Sequence, residues 1–184
     1  MRRRLLLAAV VLASLAGSAV AGPLSEVKYQ LYWTHSGSGP DVRVLSADPL
    51  PAGSNVAPDN VWRYDYALLN KSPNALYAAY LFFNSDTVNR AAYVSATAPT
   101  NWTVLKQGVV AWKIRYQTTV PGSKIPSGGT LLCSGKFSWI GSTVPGSQNY
   151  DAVNDGGSES GQTTEDITVA ATSETWGRIK SLYR

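Results

Sequence analysis

The feature that most constrains this chain is an alternation of apolar and polar residues with a period of two. In residues 61–70, "VWRYDYALLN", one parity carries three rings and a leucine: Trp62, Tyr64, Tyr66 and Leu68. Arg63 and Asp65 lie between them. Successive side chains of a β-strand point to opposite faces, so this pattern predicts a strand with one buried face. We interpret the rings as core, because they share their face with aliphatic residues, and not as a platform for a sugar.

The same period recurs in short segments throughout the chain. Clear examples are residues 26–33, 108–116 and 130–140. Connections rich in Gly and Pro separate them, as in residues 47–60 and 120–129. About eight short strands with this punctuation predict an all-β, antiparallel β-sandwich.

One segment is ambiguous, because residues 75–83, "ALYAAYLFF", are apolar on both parities. Its Ala and Leu residues are compatible with a short helix. We predict a strand, since the polar turn at residues 70–74 joins it to a clear strand. A strand that is apolar on both faces of a sandwich is either covered on its outer side or exposes a patch.

The N-terminus has the pattern of a secretory signal peptide. Three arginines, Arg2 to Arg4, precede an apolar run from Leu5 to Ala16, and Ala19 and Ala21 are the small residues before a cut. The run is shorter than the roughly 20 residues that a membrane span needs. We predict a signal peptide at 1–21, a sandwich domain at 22–172 and a tail at 173–184. The product would be secreted, extracellular or on the cell surface, and the periplasm is also possible.

Charge and cysteine content restrict the possible partners. Sixteen Lys and Arg residues face twelve Asp and Glu, but three arginines leave with the signal peptide. The remaining body has no basic patch of the kind that binds nucleic acid. Cys133 is the only cysteine, so no intramolecular disulfide can form. It shares a parity with apolar residues, and we expect it to pack as a small hydrophobic residue.

The order of elements resembles a known type of domain. Residues 61–83, "VWRYDYALLNKSPNALYAAYLFF", are followed by "APTNW", by the Trp of "GVVAWKIRY" and by "IPSGGTLLCSGKFSW". This order is similar to that of the Ig-like β-sandwich domain of uncharacterised secreted bacterial proteins, many of which carry a C-terminal sorting or anchor segment. The resemblance covers roughly residues 60–140 and implies a fold but no catalytic residue. Residues 173–184 depart from that pattern, because they do not have the composition of a hydrophobic anchor.

Catalytic patterns are weak. His35 is the only histidine, and the neighbouring Ser36, Ser38 and Asp41 lie on the same short loop, whereas a triad is assembled from separate elements. One His and one Cys do not provide a zinc site of the usual type. No two acids are paired in the manner that glycoside hydrolysis requires. We therefore expect no catalytic residue and no cofactor, and a small extracellular hydrolase is only a remote alternative.

The acidic stretch at residues 151–161 offers possible calcium ligands. Its carboxylate and amide side chains are Asp151, Asn154, Asp155 and Glu159. Calcium favours such flexible loops, but the spacing does not match an EF-hand. A solvated acidic turn is the preferred interpretation.

Our leading functional hypothesis is a non-enzymatic structural or interaction module whose partner could be a cell-surface protein, a sorting machinery or a glycan. The alternative is a carbohydrate-binding module using Trp102 and Tyr150, which would have to form an exposed strip. A sorting role would involve the tail, where Trp176, Ile179 and Tyr183 form one helical stripe. Arg178, Lys180 and Arg184 make this tail basic. It could dock on the apolar strand at residues 76–83 or be read by an external partner.

Overall fold

The structure, a computed structural model, describes residues 24–34, 41–83, 91–107 and 113–167. Within these ranges the chain forms eleven strands and one short 3-10 helix at Pro121–Ser123. The strands are β1 (Ser25–Thr34), β2 (Val42–Val44), β3 (Val61–Asn70), β4 (Leu76–Phe82), β5 (Ala91–Thr97), β6 (Thr103–Gln107), β7 (Lys113–Gln117), β8 (Thr130–Trp139), β9 (Asn149–Asn154), β10 (Gly157–Gln162) and β11 (Thr164–Glu165).

The strands form two sheets that pack face to face. One has the order β11-β1-β3-β8-β5, with β2 also paired to β1, and the other has the order β10-β9-β4-β7-β6. This confirms the predicted all-β sandwich. The strand count is a correction, because eleven strands replace the expected eight or so. Short or polar strands such as β10, "GSESGQ", carry too little apolar alternation to be recognised in the sequence.

Sheet direction is antiparallel with one exception. β11 pairs in parallel with β1, at Lys28 with Thr164 and at Tyr29 with Glu165. β2 pairs with the same edge of β1 two residues further on, opposite Leu31 to Trp33. β11 and β2 therefore occupy successive parts of the same edge of β1, and the described chain leaves this edge after β11.

The core is built from the parities that the sequence indicates. On β3 the four residues Trp62, Tyr64, Tyr66 and Leu68 are at most 3% exposed. The register places Trp62 opposite Phe137, which is also buried. The interpretation of the β3 rings as core is confirmed.

Buried rings keep their polar atoms hydrogen-bonded. Trp62 Nε1 donates to the carbonyl oxygen of Ser54 at 3.0 Å, and Tyr66 Oη donates to Gln148 Oε1 at 2.6 Å. Burial raises the pKa of Tyr64 and of Tyr66 well above the ordinary range of a phenol. A buried polar group without a hydrogen bond would lower the stability of the fold. Each ring is therefore held in the position in which its polar atom reaches its partner.

Cys133 lies opposite Tyr66 on β8 and packs against the core. Burial is the main cause that raises the pKa of its thiol, so the group stays protonated. This confirms its predicted role as a small hydrophobic residue.

The ambiguous apolar segment is strand β4, as predicted, and it lies in the middle of the five-stranded sheet between β9 and β7. Its Ala79 and Leu81 point into the core and are buried. One face of β4 therefore belongs to the interior, and the other face lies on the outer surface of the five-stranded sheet.

Candidate functional site

Strand β4 carries ring side chains on the face of the sheet that points away from the core. Because Ala79 and Leu81 point inward, Tyr80 and Phe82 alternate with them and point outward. Both rings are half-buried. The outer side of this apolar strand is thus a patch of rings that neighbouring strands partly cover.

Two cations from strand β7 lie over these rings. The register places Arg115 opposite Tyr80 and Lys113 opposite Phe82. Lys113 Nζ lies 5.0 Å from the centre of the Tyr80 ring and 5.4 Å from that of Phe82. Arg115 Cζ lies 5.1 Å from the centre of the Tyr80 ring. We call Tyr80, Phe82, Lys113 and Arg115 the ring–cation row.

The energy of the row is modest, and its geometry matters more. A cation over an aromatic face contributes roughly 0.5–1 kcal/mol when it remains accessible to water. Neighbouring strands hold all four side chains, so their spacing is set by the sheet and not by a loop. The row therefore presents apolar surface and positive charge in a fixed arrangement.

A fourth contact of the same kind lies at the other end of β4. Lys124 Nζ lies 5.4 Å from the centre of the Tyr77 ring, where the pairing of β4 with β9 is irregular. The same ammonium group forms an ion pair with Asp155 at 2.8 Å. That carboxylate offsets the charge of Lys124.

A groove runs along the other side of Phe82, toward β9 and β10. Polar side chains dominate its remaining walls: Ser147, Gln148, Asn149, Asp151, Ser160 and Gln162. Asp151 Oδ1 accepts a hydrogen bond from Ser160 Oγ at 2.6 Å. We call this the β9 groove. Amide and carboxylate groups beside a ring can hydrogen-bond a ligand rich in hydroxyl groups.

The two rings named for glycan binding are not at this surface. Trp102 is 9% exposed, and its Nε1 donates to the carbonyl oxygen of Ser123 at 2.9 Å. Tyr150 is 3% exposed, and its hydroxyl donates to the carbonyl oxygen of Ser25 at 3.0 Å. They form no exposed strip, so the glycan hypothesis finds no support at these positions. Tyr150 shares a parity with the buried Ala152, a signal that was present in the sequence.

The acidic stretch is a hairpin of β9 and β10 and not an open loop. This corrects the expectation of a solvated turn spanning these residues: only Asp155 and Gly156 lie between the strands. The short hairpin was missed because Gly and Ser dominate β10. Hairpin pairing places Asp151 and Glu159 on opposite faces, since Asp151 pairs with Ser160 and Glu159 pairs with Ala152.

Each candidate calcium ligand already has its own partner. Asp155 pairs with Lys124, and Asn154 Oδ1 accepts from the backbone N–H of Gly156 at 2.7 Å. Glu159 Oε1 accepts from the backbone N–H of Leu24 at 2.9 Å. Among the described residues, no group of three or more His, Cys, Asp or Glu side chains is placed to hold a metal ion.

Several predicted features fall outside the described ranges. These are His35, the signal peptide at 1–21, and the tail with Trp176, Arg178, Lys180 and Tyr183. Their assignments stay predictions. No helix in the described part of the chain has the length and apolar character needed to cross a membrane.

The ring–cation row was not identified from the sequence. The sequence shows its two components as separate features. Residues 75–83 are apolar on both parities, and cations alternate with Ile114 in residues 113–116. Only the pairing of β4 with β7 brings these signals together.

Comparisons with known proteins leave the function to be argued from this chain. No known protein family matches it, and neither does any curated protein. An uncharacterised Nocardia farcinica protein with an immunoglobulin-like fold aligns with a TM-score of 0.42 and 10% identity over 61% of this chain and 80% of that one. The seventh ScaB type I cohesin from Pseudobacteroides cellulosolvens aligns with a TM-score of 0.35 and 12% identity, over 61% and 87%. A CBM3 from Hungateiclostridium clariflavum aligns with a TM-score of 0.31 and 9% identity, over 74% and 98%.

Proposed function

We propose that this protein is an exported, non-enzymatic interaction module that binds a protein partner through the outer face of its five-stranded sheet. The observation that supports this most is the ring–cation row on β4 and β7. Tyrosine and arginine are enriched among the residues that dominate binding energy in protein interfaces. Export is supported by the arginine-led apolar run at the N-terminus.

The arrangement of the rings favours a protein partner over a sugar at this row. Lys113 and Arg115 both lie close to the Tyr80 ring. A sugar would have to displace a cation to stack on that side. A carboxylate or a carbonyl oxygen from a protein could instead contact the cation while apolar atoms cover the ring. A non-enzymatic role is also supported by the resemblance of the sequence to Ig-like domains, because that resemblance implies no catalytic residue.

Site-specific photocrosslinking in the producing cells tests the proposal. A photoreactive phenylalanine analogue is placed at Leu105 on β6, which is 40% exposed and shares the outer face with Arg115. The matched control places it at Leu132, which is 68% exposed and faces outward from the other sheet. We expect a discrete adduct with one protein from Leu105 and none from Leu132.

The adduct must also depend on the ring–cation row. We expect Tyr80→Ala and Arg115→Ala each to reduce the yield of the Leu105 adduct at least tenfold, about 1.4 kcal/mol. Lys136→Ala, on the other sheet, should leave it unchanged. Equal adducts from both positions, or an adduct insensitive to both row variants, would contradict the proposal. A self-adduct would instead identify the partner as a second copy of this chain.

A second candidate is glycan binding in the β9 groove, favoured by the amide and carboxylate side chains beside Phe82. This candidate keeps the carbohydrate-binding alternative but assigns it to the β9 groove and not to Trp102 and Tyr150. A glycan array with the purified domain tests it. Binding should be lost in Asp151→Asn and in Phe82→Ala and kept in Lys124→Ala. A blank array, or signal that survives both groove variants, would remove this candidate.

A further inference from the structure

One end of the sandwich contains a hollow of about 220 Å³ between the two sheets. It lies where β3 and β5 begin and where β4 and β8 end. Five rings line it: Trp62, Tyr64, Phe83, Phe137 and Trp139. Ala91 and residues 143–148 complete the wall. We call this hollow the ring pocket. It is separate from the ring–cation row, because its rings point inward.

The walls of the ring pocket are held in place by their own hydrogen bonds. Trp139 Nε1 donates to the carbonyl oxygen of Thr143 at 2.7 Å, and Tyr64 Oη donates to that of Gly146 at 3.0 Å. Gly141 also supports Trp139, because a Cβ at position 141 would lie 2.4 Å from the indole. The pocket is therefore preorganised, and its rings offer mainly apolar surface.

One polar group in the wall has capacity to spare. Gln148 is 8% exposed, and its Oε1 accepts the hydrogen bond of Tyr66. Within the described part of the chain, the Nε2 group of Gln148 donates no hydrogen bond. This nitrogen is not fully buried, so water can reach it, and a ligand that replaces that water can accept its hydrogen bond.

Size and charge limit what the ring pocket can hold. Protein interiors contain few voids larger than a water molecule. An apolar cavity of roughly 150 Å³ can hold a benzene molecule. The described residues that line the ring pocket carry no charged side chain. These residues therefore favour a neutral ligand over an ion.

We propose that the ring pocket binds a small neutral molecule that consists of one aromatic ring and a carbonyl-type acceptor. The ring would pack among Trp62, Phe137 and Trp139, and the acceptor would take a hydrogen bond from Gln148 Nε2. This site is independent of the proposed partner-binding face. Loss of either one leaves the other intact.

Two nearly isosteric probes test the proposal. Acetophenone has the carbonyl acceptor, and α-methylstyrene replaces that oxygen with a CH₂ group. The readout is the set of indole Nε1–H resonances in a ¹H–¹⁵N spectrum of the full chain. We expect acetophenone to shift the resonances of Trp62 and Trp139 and to leave Trp102 unchanged, since Trp102 lies at the other end of the sandwich. α-Methylstyrene should bind about five- to tenfold more weakly, the contribution of one hydrogen bond.

Variants separate the role of the cavity from that of the amide. Ala91→Leu should fill the pocket and abolish the shifts caused by acetophenone. Gln148→Leu should remove the preference for acetophenone over α-methylstyrene. Tyr66→Phe is the matched control, because it removes the same Tyr66–Gln148 hydrogen bond but leaves the amide donor. It should retain the preference.

Three results would overturn the proposal. They are wild-type spectra that neither probe changes at millimolar concentration, shifts that include Trp102 to the same extent, and equal binding of the two probes. Because the first readout uses only the wild-type chain, a variant that fails to fold does not affect the conclusion.

Discussion

Trp62 is the largest side chain that the described core removes fully from water. It is 0% exposed, and its indole N–H retains a hydrogen bond to Ser54. Truncation would leave a cavity beside Phe137 and orphan the carbonyl oxygen of Ser54. We expect Trp62→Ala to lower the free energy of unfolding by about 3–5 kcal/mol, measured by chemical denaturation.

The matched control for that prediction is Leu132→Ala on the outward parity of β8. Leu132 is 68% exposed, so its truncation should change the free energy of unfolding by no more than about 0.5 kcal/mol. If Trp62→Ala is as stable as the wild type, the assignment of the β3 rings to the core is wrong.

Buried phenols make the stability of this protein sensitive to alkaline pH. Burial raises the pKa of Tyr64 and Tyr66 in the folded chain, whereas in the unfolded chain tyrosines ionise near pH 10. Above that pH the unfolded state binds fewer protons than the folded state, so the free energy of unfolding falls as pH rises. We expect stability to be unaffected by these groups below about pH 10 and to fall by roughly 1.4 kcal/mol per pH unit for each buried phenol above it.

Two spectroscopic signals check this prediction together. Part of the rise in phenolate absorbance should coincide with the loss of far-ultraviolet circular dichroism, because the buried phenols ionise only on unfolding. Tyr66→Phe should flatten the alkaline dependence by about 1.4 kcal/mol per pH unit. Complete ionisation of the tyrosines in a still folded chain would contradict the assignment of these phenols to the interior.

At the scale of elements, the β9–β10 hairpin is tied to the rest of the sandwich by its acidic residues. Asp155 pairs with Lys124, and Glu159 binds the backbone of Leu24 at the start of β1. Ser25 Oγ also donates to Glu159 Oε2 at 3.2 Å. The acids therefore join separate segments of the chain, and they do not converge on one point.

This arrangement predicts that calcium has no effect on stability. Addition of EDTA or of millimolar Ca²⁺ should leave the Tm of the wild type unchanged. Asp155→Ala is the control variant, and its Tm should be equally insensitive to both additions. A Tm that EDTA lowers in the wild type but not in Asp155→Ala would show that the hairpin does hold a calcium ion.

The central position of β4 explains how one element serves both the interior and the surface. Its inward residues pack against the other sheet, whereas its outward rings receive cations from β7. A strand with a solvated polar outer face would not need such cover. The apolar residues of β4 thus serve two purposes: those on the inward face form core, and those on the outward face form the surface that the cations contact.

At the scale of the molecule, the charge of the five-stranded face bears on the tail. The described chain ends at Ile167 on the edge of the other sheet, held there by the backbone N–H of Asp166, which donates to Tyr29. The 17 residues that follow could extend roughly 56 Å, so length does not prevent the tail from reaching β4. Charge does oppose docking beside β7, because the tail is basic and Arg115 belongs to the ring–cation row.

We therefore expect deletion of residues 175–184 to leave Tm unchanged and to alter where the protein is delivered. Differential scanning calorimetry and fractionation of the producing cells measure the two effects. The control replaces Arg178 and Lys180 by Gln and keeps the length. A lowered Tm would show that the tail docks on its own domain. Unchanged stability with unchanged delivery would exclude both roles.

Where apolar and polar residues alternate clearly, the sequence by itself determined which residues form strands and which face of each strand is buried. That information is local, because the side chains of a strand alternate and water selects the apolar parity for the interior. The β3 rings, the strand assignment of β4 and the packing of Cys133 all follow from it. Even Tyr150 could have been assigned to the core, because it shares a parity with Ala152.

Only the tertiary structure decided which strands are neighbours. Pairing joins residues that are far apart in the sequence, and no local pattern states that Arg115 will lie beside Tyr80 or Lys124 beside Asp155. The ring–cation row, the β9 groove and the ring pocket each combine side chains from several separate segments. Their existence depends on long-range pairing and on the packing of two sheets, which the alternation of a single strand does not encode.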